Sequence, residues 1–109
     1  MAGLIRLNKE HAWSTAGWIF DHVLRLTRKH LPEEGSSKIL ELMGEAEAGL
    51  NYISLEKLSP AEVTIFLAAL KEAYGEAQMK GSQSFAAPEF YPAFIKSFEE
   101  LLEMAGQVE

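Results

Sequence analysis

The chain has 109 residues, 48% hydrophobic and 24% charged, a balance that suits one folded domain and excludes a disordered or membrane-spanning chain. The absence of cysteine excludes disulfide frameworks, thiolate nucleophiles and sulfur-bound zinc. The formal charge of −6 divides into +3 over residues 1–31 and −9 over residues 32–109, so nucleic acid is not an expected partner, because phosphate binding draws on clustered Lys and Arg.

The first helix is predicted over about residues 9–30. Asn8 is a good N-cap, and Leu31-Pro32 stops the helix because a residue before proline avoids helical geometry. At 100° per residue Trp13, Ala16, Phe20, Val23, Leu24 and Thr27 fall on one wide apolar arc, as an amphipathic helix requires. A second helix is predicted over about 37–48, capped by Ser36 or Ser37 and ended by Gly49 in a left-handed conformation. The stretch Tyr52 to Leu55 fits either a loop or a short extended piece packed across helix ends.

The sharpest local signal is Leu58-Ser59-Pro60-Ala61-Glu62-Val63. Ser59 and Glu62 form a capping box, Pro60 suits the first helical position, and Leu58 can staple onto Val63. The third helix is therefore predicted over 60–80. Residues 81–91 read as a structured loop with one proline, Pro88, and three aromatics. A fourth helix is predicted over about 92–105, with Phe94, Ile95, Phe98, Leu101 and Leu102 on its apolar stripe and Gly106 at its end. The expectation is a single all-α domain over 1–109, a small bundle of about four helices.

Catalytic and metal chemistry have little support. His11 and His22 lie about 16 Å apart along a helix axis, and no His-x-x-x-His or Glu-x-x-His spacing exists, so no metal is expected. There is no nucleophile elbow and no glycine-rich phosphate loop. The chain is accordingly not expected to be an enzyme or to hold a cofactor. It lacks an export signal and a long apolar run, so cytoplasmic residence away from membranes is expected.

Two surface features point instead to a protein partner. Trp18 falls opposite the apolar arc of the first helix, among His22 and Arg25, and Trp and Arg dominate interface energetics. Its alternative fate is to be covered by the loop or the C-terminal tail. Glu41 and Glu45, and likewise Glu99 and Glu103, stand one turn apart. Such like-charge pairs destabilise a helix and suit the steering of a cationic partner.

The stretch YISLEKLSPAEVTIFLAALKEAY, residues 52–74, resembles segments of small bacterial immunity proteins from contact-dependent and polymorphic toxin systems. The resemblance implies a stoichiometric inhibitor that masks a toxin domain, commonly a basic nuclease, and carries no shared catalytic residues with it. Charge complementarity agrees, since an acidic domain associates fast with a cationic site. The alternative is a helical adaptor or regulatory subunit that binds a partner helix in an apolar groove.

Overall fold

In the computed structural model, which describes residues 2–84 and 87–108, the chain opens on a β-hairpin. Strand β1, Ala2–Arg6, pairs antiparallel with β2, Ala12–Ala16, in a register that sets Ile5 against Trp13. A third strand, β3, Tyr52–Ser54, joins β1 in parallel with Ile5 opposite Ile53, giving the order β2-β1-β3. Four α-helices follow among the described residues: α1 Gly17–Lys29, α2 Ser37–Glu45, α3 Pro60–Lys80 and α4 Tyr91–Val108. The all-α expectation is therefore overturned: the fold is mostly helical but built on a mixed three-stranded sheet.

The reason lies in residues 2–16. Gly3, Ile5 and Leu7 are buried while Leu4 and Arg6 are half-exposed, the period-two alternation of a strand with one face on the core. Trp13 is buried on the neighbouring strand. Asn8 does cap, but it caps a turn. Its Oδ1 accepts from the amides of Glu10 and His11, both at 2.8 Å, and the Leu7 amide donates to the His11 carbonyl at 2.9 Å. A short polar side chain that captures the next amides serves a hairpin turn as well as a helix start. Helix α1 accordingly begins at Gly17, with no side-chain cap at Ala16.

The other helices depart less from expectation. Helix α2 ends at Glu45 and widens into a π turn over Ala46–Leu50. There Gly49, at φ 121°, and Asn51, at φ 51°, take positive φ and reverse the chain into β3, which is where a missing Cβ is needed. Ser36 occupies the N-cap position of α2 but makes no side-chain cap bond. Helix α3 starts as predicted, with Glu62 N donating to Ser59 Oγ at 3.2 Å and Ser59 N donating to Glu62 Oε1 at 2.8 Å. Helix α4 runs past Gly106 to Val108. Phe85, one of the aromatics in the stretch read as a structured loop, lies outside the described residues together with Ala86.

The buried residues form one cluster that draws on every layer: Ile5, Trp13 and Ile53 from the sheet, Phe20, Val23 and Leu24 from α1, Ile39 and Met43 from α2, Phe66 and Leu70 from α3, and Phe94, Phe98 and Leu101 from α4. Two polar bonds tie the sheet to α4. The Trp13 indole Nε1–H donates to the Ser97 carbonyl at 2.9 Å, and the Thr15 and Ser97 hydroxyls pair at 2.8 Å. Against α1, the backbone of Gly3 comes so close to Phe20 that a Cβ there would lie 2.1 Å from the ring. Among the described residues, no helix is long and apolar enough to cross a membrane.

Candidate functional site

The sequence-predicted contact residues fall into three groups on three helices. Trp18, His22 and Arg25 lie along one outward stripe of α1. Trp18 is 41% exposed and meets Phe90 edge to face, with ring centroids 5.5 Å apart. The turn before α4 therefore contributes to covering the indole, which stays partly exposed. His22 is half-buried with its ring on Phe94, 4.8 Å between centroids. Burial, then the charges of Arg25 and Lys29, hold its imidazole below the usual histidine range, so it is neutral near pH 7. Arg25 lines a small cleft with Asp21 and Glu47, and Glu47 is paired with Arg28.

The glutamate pairs are not equivalent. Glu41 is exposed and lies 3.6 Å from Lys38 Nζ, while Glu45 is exposed on the next turn of α2. On α4, Glu99 is committed to the fold, accepting from the Tyr74 hydroxyl at 2.6 Å. Partial burial, together with this bond and the Glu99 charge, pushes the Tyr74 hydroxyl up to about 12. Glu103 remains exposed. The structure thus brings Trp18, His22 and Arg25 together and leaves the four glutamates on two separate helices.

A further cluster was missed by sequence reasoning. The end of α1 meets the C-terminal half of α3, and His30 wedges between two carboxylates one turn apart. Its Nε2 lies 2.8 Å from Glu76 Oε1 and its Nδ1 3.5 Å from Glu72 Oε2. Lys80 Nζ at 3.0 Å and Lys29 Nζ at 3.7 Å complete the surroundings of Glu76. Lys80 and His30, with Lys29 behind them, hold the Glu76 carboxyl down at about 2 against the opposing effect of burial. His30, Glu72, Gly75, Glu76, Met79 and Lys80 line a cleft of about 730 Å³ there, within the size range of binding pockets.

The repeat Glu72, Glu76, Lys80 at four-residue spacing is legible in the sequence. That His30 should close on it is not, because nothing local sets the end of α1 against α3. Among the described residues, no group of three or more His, Asp or Glu is placed to hold a metal ion. The cluster is suited chemically to recognising charge beside an apolar floor.

A mixed three-stranded sheet with four helices, and a charged cleft between the ends of two of them, defines the class as a mostly helical α/β domain. Its particular likeness is to a chain of the solved structure of a CdiA-CT toxin from Burkholderia pseudomallei E479 in complex with its cognate CdiI immunity protein. The two chains share 24% sequence identity over 93% of this chain and 90% of that one, with a TM-score of 0.64. The likeness extends nearly end to end and establishes a shared fold. No family model matches the chain, and no curated protein does.

Proposed function

We propose that this chain is the immunity member of a toxin–immunity pair, a non-catalytic protein that binds its cognate toxin domain one to one and masks it. The observation that carries the reading is the fold shared nearly end to end with a component of such a complex. The charge of −9 over residues 32–109 supports the immunity side of the pair, because a negative domain is drawn to a cationic nuclease surface and repelled by that nuclease's own substrate. In this reading the chain acts in the cytoplasm of the cell it protects. Inhibition requires only coverage of the toxin's site, so no catalytic residue of this chain takes part.

One observation favours a second reading, in which the chain is the toxin member. An imidazole held between Glu72 and Glu76 beside two lysines has the groups for proton transfer and phosphate contact. Expression in a bacterial host separates the two. The immunity reading requires that the chain alone leaves growth unchanged, that a toxin-like reading frame lies immediately upstream of its gene, and that the chain rescues cells expressing that toxin domain. Growth arrest by the chain alone, relieved by His30→Ala, would overturn it in favour of the toxin reading.

A further inference from the structure

The sheet ends on two edges that the fold treats differently. Strand β3 is three residues long and runs straight into a 3-10 turn at Leu55–Lys57, and a very short strand is one way natural sheets blunt an edge. Strand β2 has five residues in unbroken register with β1. It carries no lysine, proline or bulge, the devices that usually keep another strand away. Residues of an antiparallel pair alternate between those bonded to the neighbour and those whose amide and carbonyl point outward. The Leu7 amide donates to the His11 carbonyl at 2.9 Å, so the register makes His11, Trp13 and Thr15 the bonded positions and Ala12, Ser14 and Ala16 the outward ones. The Leu4 amide agrees, since it donates at 3.0 Å to the Asn51 carbonyl on the β3 side. Among the described residues the amides and carbonyls of Ala12 and Ser14 find no partner on the outer side, and Ser14 is exposed.

The same edge carries two unmatched charges. Helix α1 starts directly after β2, with no side-chain cap at Ala16 and no acidic residue in its first turn, so the positive end of its backbone dipole is uncompensated by the chain's own carboxylates. Glu10, in the hairpin turn, is exposed, and its carboxylate makes no ion pair or hydrogen bond among the described residues. The two lie at opposite ends of β2, roughly 20 Å apart at the rise of a strand, and cannot meet within one chain.

We propose that the β2 edge joins two copies of this chain about a two-fold axis through Ser14. Antiparallel pairing that sets Ser14 against Ser14 of the second copy also sets Ala12 against Ala16, and the outward amide and carbonyl of each Ser14 then satisfy those of the other. The two sheets merge into one of six strands. Continued past the strand ends, the same register brings Glu10 of each copy opposite Trp18 of the other, at the start of its α1. That charge match, made twice, selects a second copy over any other extended chain. The contact is isologous and closes on itself, as the commonest oligomers do, and it stands independently of the immunity reading.

Sedimentation equilibrium of the full chain tests this. The wild type should show twice the mass of one chain. Ser14→Lys sets two ammonium groups against each other across the axis and should weaken self-association at least tenfold, with circular dichroism unchanged because position 14 is exposed in the single chain. Glu10→Gln should weaken it about three- to thirtyfold, since two contacts with helix starts are lost per dimer. Amide hydrogen exchange at Ser14 and Ala16 should slow as the wild-type concentration rises through the dimerisation range. A wild type that stays monomeric at its highest soluble concentration overturns the proposal, as does a dimer left intact by Ser14→Lys, which would put the contact on another surface. A dimer weakened by Ser14→Lys and untouched by Glu10→Gln would overturn the charge match, and slowing of the Ser14 amide only when a different protein is added would give the edge to that protein instead.

Discussion

Replacing Gly3 by alanine tests whether residues 2–6 are a strand pressed onto α1. The new Cβ would lie 2.1 Å from Phe20 Cγ, 2.4 Å from Phe20 Cβ and 2.5 Å from Phe20 Cδ1, where carbon atoms normally rest about 3.5–4.0 Å apart. The neighbour cannot rotate aside, because the closest atoms are the base of a ring that is 0% exposed. Overpacking of this kind costs about 1–3 kcal/mol, offset by up to about 1 kcal/mol from removing a flexible glycine. A net loss of about 1–2 kcal/mol lowers the melting temperature of a domain this size by roughly 4–16 °C. Urea unfolding followed by circular dichroism gives the free-energy difference directly. In a Phe20→Ala background the cost should shrink, since two of the three closest atoms are gone. A midpoint unchanged or raised by Gly3→Ala would refute the packing, because on a loose or solvent-facing segment the substitution is neutral or stabilising.

Three other outcomes are expected. Ser59→Ala removes the capping box of α3 and should cost about 1 kcal/mol in denaturant unfolding; no measurable loss would contradict the cap. Glu76 has its carboxyl held at about 2, below the ordinary 4.5, so its contribution is fully present above pH 4.5 and is lost as pH falls from there toward 2. That difference caps the contribution at about 3 kcal/mol, and with the side chain 20% exposed water screening reduces it to about 1–2 kcal/mol. Glu76→Gln should therefore destabilise at pH 7 and converge with wild type in acid; a constant gap would contradict the linkage. Tyr74 should ionise near 12, and Glu99→Gln should move its phenolate transition down toward 10 in an ultraviolet titration, whereas an unmoved transition would separate Tyr74 from Glu99.

The sequence makes the helices legible and hides the sheet for identifiable reasons. The start of α3 is readable because Leu58, Ser59, Pro60 and Glu62 act within one turn of one another. The alternation of Gly3, Ile5 and Leu7 is masked by the apolar Leu4 between them, and glycine carries no hydropathy signal although its backbone is buried. Trp13 fits both the helical arc and an inward strand position, and Asn8 suits either start. Strand β3 is only three residues long, and its partner β1 lies forty-eight residues back, Ile5 against Ile53, a pairing that no local pattern encodes. At the site, the outward position of Trp18 followed from helical periodicity. Its contact with Phe90, and the closure of His30 on Glu72 and Glu76, depend on how α1 packs and were beyond that reading.

The central claim is inhibition by one-to-one binding, and a titration of toxin activity tests it most directly. The toxin domain that the account predicts as cognate partner is held at fixed concentration well above the dissociation constant, and its activity is measured as this chain is added. Activity should fall linearly to zero at one equivalent. Full activity beyond one equivalent, or complete loss at a small fraction of an equivalent as an enzyme acting on the toxin would give, would contradict it.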